Sequence, residues 1–561
     1  MNRKYSLSGF VVVLVLSYFA IAPLFIGGYF PVHDDTQVAR VFTMQKSLLD
    51  GMFPVRWVSD LGYGYGYPIF NFYAPLAYYF GGTANLLGLD AVTATKLMMG
   101  FGMVLAAFSM YILAKEFWGT VGGVVSAVLY MYAPFHAVDL YVRGDVAEFW
   151  AYAFIPLIFY GLWKIYKNGA WRYVALAALS YAAIILSHNL TALMVTPFFI
   201  AAILGWSIVL YRKKKALSIW YLVFGILLGM LISAFYWLPA LLEMQYTNVL
   251  GQIGGGADFR DHFVCLNQLW ESQWGFGGSA PGCLDGLSFR TGKLHILLSL
   301  VTIGLLFLFW KDREKRIVLL YSFFALLISL FILLPIAKPL WEAAPLMAFF
   351  QYPWRFLLMI AFFSSFISGF PLWVLGRFDK KNNIYLLFSA SVIVIATVFL
   401  YAKLFSPQTI SPQTEKKLAS REAISWTASK ISDEYMPNGF LKPSSSDQIV
   451  KTPFVAEEAV KFSDTKVSTK QLEAKVTAEE DAKIHANIAY FPTWKAFVNN
   501  KAYPFSVTDS GLLITLPSGT NIVRFEFMQT TVEKIGNALS LAGVLILVVG
   551  IIYQRKRGMH L

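Results

Sequence analysis

The chain has 561 residues, 57% hydrophobic, 17% aromatic and only 14% charged, with a formal net charge of +13. A water-soluble protein of this length needs far more charge to cover its surface, so a soluble globular enzyme is excluded. The basic balance invites a nucleic-acid partner, but the placement of the charges argues against one.

About twelve apolar runs bounded by charge read as membrane-spanning helices, each near the ~20 residues that a hydrocarbon core of ~30 Å requires once tilt and short ends are allowed. The first covers 9–30 behind the basic start MNRK. Others follow at 91–113, 121–134, 149–163, 174–186, 190–211, 217–238, 294–310, 317–335, 356–375, 384–404 and 535–553. No small-residue cleavage site precedes His33, so the first run is expected to be an uncleaved span rather than a signal peptide.

With the N-terminus inside, the inner loops are MNRK, AKEFWG, KIYKNGAWR, YRKKK, KDREKR, GRFDKK and the tail QRKRG. They carry 20 Lys/Arg and 4 Asp/Glu, leaving 26 basic and 29 acidic residues for the rest of the chain. The excess of +16 inside against −3 elsewhere is the positive-inside pattern, and it places both termini in the cytoplasm of a multi-pass cytoplasmic-membrane protein. The stretch 70–89 is apolar enough to be a thirteenth span, but counting it would turn RKKK and DREKR outward. It is read as a juxtamembrane or re-entrant segment.

Three outer regions stand out. The first loop, 31–90, opens with PVHDDTQVARVFTMQKSLLDG, in which Val38, Val41, Phe42, Leu48 and Leu49 share a helical face while Arg40, Gln45 and Lys46 fall elsewhere. That pattern predicts an interfacial amphipathic helix stopped at Gly51. The loop 245–293 holds both cysteines, Cys265 and Cys283, on the oxidising side; a disulfide and two unpaired buried thiols are the two readings. From 405 to 530 the composition turns polar, and alternating apolar and polar residues cut by NN, DSG and PSG turns predict a small β-sandwich domain before the final helix and basic tail, 531–561.

The conspicuous polar residues of the helical part, 1–404, converge on the same outer side. His33, Asp34 and Asp35 follow the first span; Arg143, Asp145 and Glu148 lie in YVRGDVAEFW; His188 and Asn189 form SHN; Tyr352 and Arg355 lie in FFQYPWRF. A carboxylate costs about 2.5–3.5 kcal/mol at the centre of a spanning helix and less at its edge, which makes these residues functional candidates. The plainer alternatives are caps for DDTQ and DVAE, a hydrogen-bonded interior His188 and a snorkelling Arg355.

The ordered set HDDTQ, PVRWVSDLGYGYGYPIFNFYAPL, RGDVAE, SHN, QYPWRF and YFPTWKAFVNNK resembles the GT-C superfamily of membrane glycosyltransferases. It is most similar to bacterial proteins labelled "6-pyruvoyl-tetrahydropterin synthase-related membrane protein". The label implies no pterin chemistry, because the chain has no soluble synthase domain with a zinc-binding histidine cluster. The resemblance implies a GT-C-like helical domain and a transferase that moves a sugar from a polyprenyl-phosphate donor to a glycan, lipid or protein acceptor on the outer face. It implies that Asp34 or Asp35 is the general base and that Asp145 and Glu148 form a second acidic site. A divalent cation, Mg or Mn, on Asp35, Asp145 and Glu148 is the cofactor such a site would take. The departing lipid phosphate would be met by Arg143, His188, Arg355 and Arg56, with His33, Asn189 and Tyr352 nearby. The partners are then membrane lipids, the lipid-linked donor and the acceptor, with no nucleic acid. Two rival readings are a transporter or flippase of lipid-linked saccharides and a non-catalytic membrane scaffold. Few interior charges and no inverted pair of broken helices speak against the transporter.

The topology predicts that a cysteine reporter near Ser445 is labelled from outside intact cells and one near Lys214 is not. The reverse pattern overturns the outer-face site.

Overall fold

The computed structural model describes residues 3–252, 257–308, 312–378, 383–457 and 459–556. Met1, Asn2, the end of the 294–310 run, Lys311, residues 379–381 of GRFDKK and the last residues of QRKRG lie outside these. The chain is mostly helical, with a β domain before the last helix. Among the described residues eight helices are long and apolar enough to cross a membrane, and a ninth span is formed if Ala216–Ile232 and Ala234–Leu242, bent by 70°, count as one.

The remaining expected spans exist but are short or folded back. Trp171–Ser187 and Lys293–Phe307 are apolar helices below full length. Ala91–Met131 breaks at Gly119, where φ is 74°. A Cβ placed on Gly123 would lie 3.0 Å from the Lys115 backbone. Eight residues span about 12 Å along a straight helix, so the chain reverses there into two antiparallel helices. Glycine is needed at 119 because other residues resist that left-handed φ. The segment 70–89 does not span: it forms Ile69–Phe72 and the 11-residue helix Leu76–Leu86.

The bundle has two distinct ends. At one, Lys164 Nζ meets Glu116 at 3.0 Å and Lys167 meets Glu314 at 2.8 Å, and the Arg172 backbone N–H donates to Gln554 at 3.1 Å. These contacts gather four of the basic loops. At the other end sit loop 31–90 and the β domain.

The helix predicted as interfacial, Gln37–Leu49, is instead largely buried, and Arg40 of its polar side is buried with it, while Gln45 and Lys46 stay partly exposed. Arg40 stacks its guanidinium 4.0 Å from the Tyr73 ring and donates to Tyr78 and Ser432. Helical spacing shows an apolar face but cannot show that a second protein layer covers the polar one.

Among the described residues the β domain has nine antiparallel strands: β1 (Phe454–Ala456), β2 (Val460–Ser468), β3 (Gln471–Ala478), β4 (Ala482–Ala486), β5 (Trp494–Val498), β6 (Lys501–Tyr503), β7 (Ser506–Thr508), β8 (Gly511–Leu516) and β9 (Gly519–Phe527). They form sheets of order β1-β4-β8-β7 and β2-β3-β9-β5-β6. Inward residues alternate with exposed ones, as in Leu472, Ala474, Val476 and Phe525 of one sheet against Ile484 and Ile514 of the other, so the two sheets share one apolar core. Strands start only at Phe454; residues 405–453 are a strap of short helices and turns laid over loop 31–90. Cys265 and Cys283 are joined by a disulfide, with Cα atoms 5.5 Å apart.

A buried polar knot ties the last helix to the rest. Arg56 donates to Asn71 (2.7 Å) and Asn537 (2.8 Å) and lies 3.8 Å from Glu533, while Asn71 donates to Glu533 at 2.9 Å. Thr530 donates to Glu243 at 2.5 Å. Arg56 and Glu533 are both almost fully buried, so removing the arginine strands a buried carboxylate. Arg56→Met is expected to destabilise the fold by about 3–5 kcal/mol, seen as a lowered thermal midpoint. Lys46→Ala, which opens the partly exposed Lys46–Asp60 pair, should cost no more than about 1 kcal/mol.

Candidate active site

The second of the candidate motifs forms the core of the site. A single wide helical turn, Val138–Arg143, ends at Gly144, with φ 70°. Asp145 caps the next helix, Val146–Asn168, by accepting from the Glu148 backbone N–H at 3.1 Å. Arg143 is thereby aimed back among three carboxylates: Asp139 at 2.5 Å, Asp145 at 2.8 Å and Glu148 at 3.0 Å. The DVAE cap and the charged cluster are therefore the same structure, and capping and site chemistry are compatible.

Two further elements close this cluster. His188 ends Trp171–Ser187 and begins Asn189–Arg212, and Arg355 lies in the tight turn Pro353–Phe356. Arg355 reaches Glu148 at 2.9 Å and Asp145 at 3.9 Å, and its Nη1 donates to His188 Nε2 at 3.3 Å. Trp354 lies between the two cations, 4.6 Å from the Arg143 guanidinium and 6.0 Å from that of Arg355. Buried charges persist only when paired in this way.

Loop 31–90 docks on this cluster through its backbone. The His33 and Asp34 N–H groups donate to the carbonyls of Val142 (3.0 Å) and Arg143 (2.8 Å), and Gln37 Nε2 donates to Gly144 at 2.7 Å. Any side chain at 144 would meet Val32 at 2.4 Å, so glycine is required there twice over, for its φ and for this approach. The result is a cavity of about 590 Å³, the size of a small-molecule site. It is lined by His33, Asp34, Arg143, Asp145, His188, Asn189, Tyr352 and Arg355. Gln351, His262 and Ser279 also reach it; Ser279 lies 2.8 Å from His262, within the disulfide-closed loop.

Not every expected residue joins. Arg56 is sequestered in the knot of the last helix and does not line the cavity. Asp35 does not line it either, and neither Asp34 nor Asp35 caps the following helix, whose cap residue is Thr36. Among the described residues, Asp145, Glu148 and His188 are close enough to share a metal ion, with ligand atoms within 4.8 Å of one another. His188 thus stands where Asp35 was expected. These residues fit an ion: Glu148 Oε1 is buried with no hydrogen-bond partner, and the set combines carboxylate oxygen with imidazole nitrogen. Asp139 and Gln37 were missed by sequence reading. The i, i+4 spacing of Asp139 and Arg143 was an available signal for the first; for Gln37, whose partner is a backbone carbonyl, none existed.

Protonation follows from burial and neighbours. Burial alone would raise the Asp145 carboxyl, but Arg143, His188 and Arg355 outweigh it and hold it below the usual range. Asp139 is raised by burial and by Glu148. Burial lowers His188 to about 4, so its ring is neutral near pH 7; Nε2 accepts from Arg355, and Nδ1 accepts from the Thr191 backbone N–H at 3.3 Å and lies 2.8 Å from the Thr191 hydroxyl. The hydrogen bond to Asp34, 2.9 Å long, raises His33. Asp35 is pushed up to about 6 by burial alone.

The fold and this charged cavity define a multi-pass membrane protein with a built polar site at the β-domain end of its bundle. Residues 70–255 match the family described as "6-pyruvoyl-tetrahydropterin synthase related domain; membrane protein". An uncharacterized protein of Lactococcus lactis subsp. cremoris is 24% identical over 340 residues, 58% of this chain and 54% of that protein, so the chain spans about half the length of that relative. Among solved structures, the Archaeoglobus fulgidus oligosaccharyltransferase tethered to an acceptor peptide is similar at 15% identity and TM-score 0.46, over 81% of this chain and 61% of that one. The mycobacterial arabinofuranosyltransferase AftD is similar at 14% identity and TM-score 0.42, over 73% of this chain and 27% of its own. ArnT of Cupriavidus metallidurans bound to undecaprenyl phosphate is similar at 11% identity and TM-score 0.36, over 78% of each chain.

A carboxyl near 6 when folded, against an ordinary 3.8, keeps its proton longer in the folded chain. Ionisation of Asp35 therefore disfavours folding, and stability is lost as pH rises through that interval. Asp35→Asn is expected to raise the thermal midpoint above about pH 6 and to leave it unchanged below the ordinary carboxylate value. A gain that persists at acid pH would show that burial of the charge is not its cause.

Proposed function

We propose that the chain is a GT-C-like glycosyltransferase that moves a sugar from a polyprenyl-phosphate donor to an acceptor on the outer face of the cytoplasmic membrane. The observation that carries this reading is the pairing, in one cavity, of a carboxylate free of arginine with two buried arginines. The Asp34 carboxylate bonds to neighbouring His33 and makes no arginine pair among the described residues, whereas Arg355 Nε is buried with no acceptor among them. An unused buried donor favours an anionic ligand. The positive-inside charge pattern supports placing this end outside, where nucleotide sugars are absent and the donor must be lipid-linked.

In this mechanism Arg355 and Arg143 hold the donor phosphate. Asp34, which lines the cavity where Asp35 does not, accepts a hydrogen bond from the acceptor hydroxyl. As the acceptor oxygen bonds to the sugar C1, its proton passes to the Asp34 carboxylate, and the C1–O bond to phosphate breaks with its electron pair leaving on polyprenyl phosphate. The guanidinium groups are fixed in place by their carboxylate partners, so little reorganisation opposes the growing phosphate charge. A divalent cation, Mg or Mn, would be held by Asp145, Glu148 and His188 and would supply further neutralisation of that phosphate.

The test uses the full chain in nanodiscs, undecaprenyl-phosphate-linked hexoses and pentoses as donors and methyl glycosides as acceptors. Asp34→Asn should lower turnover by about 10²–10⁴-fold and leave the Kd for undecaprenyl phosphate unchanged. Arg355→Ala should weaken that Kd by at least tenfold. Wild-type turnover in Asp34→Asn overturns the base assignment, and no sugar transfer by the native chain overturns the function.

A further inference from the structure

The turn that delivers Arg355 carries a cost that the charge pairs do not explain. The chain leaves the short helix Pro345–Phe350 and must already be extended at Tyr352, φ −125° and ψ 108°, because Pro353 follows. The change of direction falls on Gln351, whose φ is 63° and ψ −47°. Across it the Tyr352 backbone N–H donates to the Phe350 carbonyl at 2.6 Å, closing a three-residue turn of the rare, strained kind. Glycine takes a left-handed φ freely, whereas a residue with a long side chain is strained there.

Tyr352 is held too firmly to relieve that strain. Its ring stacks on Trp354, centroids 5.0 Å apart, meets the His262 ring at 4.8 Å and lies 5.5 Å from the Arg355 guanidinium. The Arg355 backbone N–H donates to the Tyr352 carbonyl at 3.1 Å. Surroundings that enforce a costly backbone in this way are typical of ligand sites.

The Gln351 side chain, by contrast, is uncommitted. Gln351 lines the cavity, half-buried, and its amide makes no hydrogen bond among the described residues. Two neighbours on the same turn also line the cavity and hold unused donors: Trp354 Nε1 and Arg355 Nε are each buried with no acceptor among the described residues. A turn alone would be made at lower cost by glycine. What glycine lacks is the carboxamide, which donates and accepts at once and carries no charge. That chemistry matches sugar hydroxyls, which also do both. A phosphate offers acceptors only and is met by the guanidinium groups.

We propose that Gln351 reads the sugar of the lipid-linked donor, its carboxamide exchanging hydrogen bonds with the sugar hydroxyls while Arg355, four residues on, holds the phosphate to which that sugar is attached. This rests on the transferase reading for the word donor; recognition of a sugar beside an anion does not require transfer. Gln351 exchanges no proton and touches no bond that forms or breaks. It selects the sugar, and the enforced turn fixes the direction of the amide before the ligand arrives, so little ordering opposes binding.

The experiment measures binding apart from transfer, in the full chain in nanodiscs, with undecaprenyl phosphate and its hexose-linked and pentose-linked forms as probes. The native chain should bind one sugar-linked form at least tenfold more tightly than undecaprenyl phosphate. Gln351→Gly should remove that preference and leave the Kd for undecaprenyl phosphate unchanged. It should also raise the thermal midpoint, since relief of the turn outweighs the freedom that glycine adds to the unfolded chain. A raised midpoint with the preference intact is what a purely structural turn predicts, and it overturns the proposal. So does a lowered midpoint, which makes the side chain a packing element, and so does an equal loss of affinity for all three lipids, which makes it a phosphate contact. A native chain that shows the Gln351-dependent preference but transfers no sugar sinks the transferase reading alone. A native chain that transfers sugar while Gln351→Gly stays as selective sinks the sugar contact alone.

Discussion

Two arginines buried among carboxylates at the end of a membrane bundle must be satisfied from several directions at once, and much of the molecule's arrangement answers that demand. Arg143 alone engages Asp139, Asp145 and Glu148, and Arg355 shares Glu148 with it. Leaving any one of these charges unpaired in so dry a place would cost several kcal/mol. The wide turn before Gly144, the Asp145 cap and the Pro353–Phe356 turn can each be understood as a means of bringing a charge to its partner.

The same constraint explains why loop 31–90 is so thoroughly buried. Its backbone pairs with the carbonyls of Val142 and Arg143, which are left free because the helix has ended there. The loop is therefore clamped from beneath by the charged cluster and from above by the strap that carries Ser432 and Tyr435. Arg40, which a helical wheel places on a solvated face, becomes the joint between loop and strap. An exposed arginine would gain little from such contacts; a buried one requires them.

Burial also sorts the two adjacent aspartates, which no motif distinguishes. Asp34 is paired to His33 and faces the cavity, while Asp35 is turned away and pushed toward its neutral form. A carboxylate that faces the cavity beside a histidine and one that burial pushes toward its neutral form are different chemical groups at successive positions. The metal-capable trio changes in a similar manner, with His188 taking the place that sequence order gave to Asp35.

The sequence by itself determined the membrane class, the positions of the apolar helices, the β domain before the last helix and most residues of the cavity. These are properties of composition, charge placement and short-range spacing, which act on the chain locally. It did not determine that Arg56 leaves the site for Glu533, that 91–131 reverses at Gly119, that Arg40 of the Gln37–Leu49 helix is buried, or that Glu434 reaches the cavity from some 290 residues beyond Asp145. Those depend on which polar groups lie opposite each other once distant segments pack. A buried charge is settled by the partner it finds in space, and neighbours in sequence do not say which partner that is.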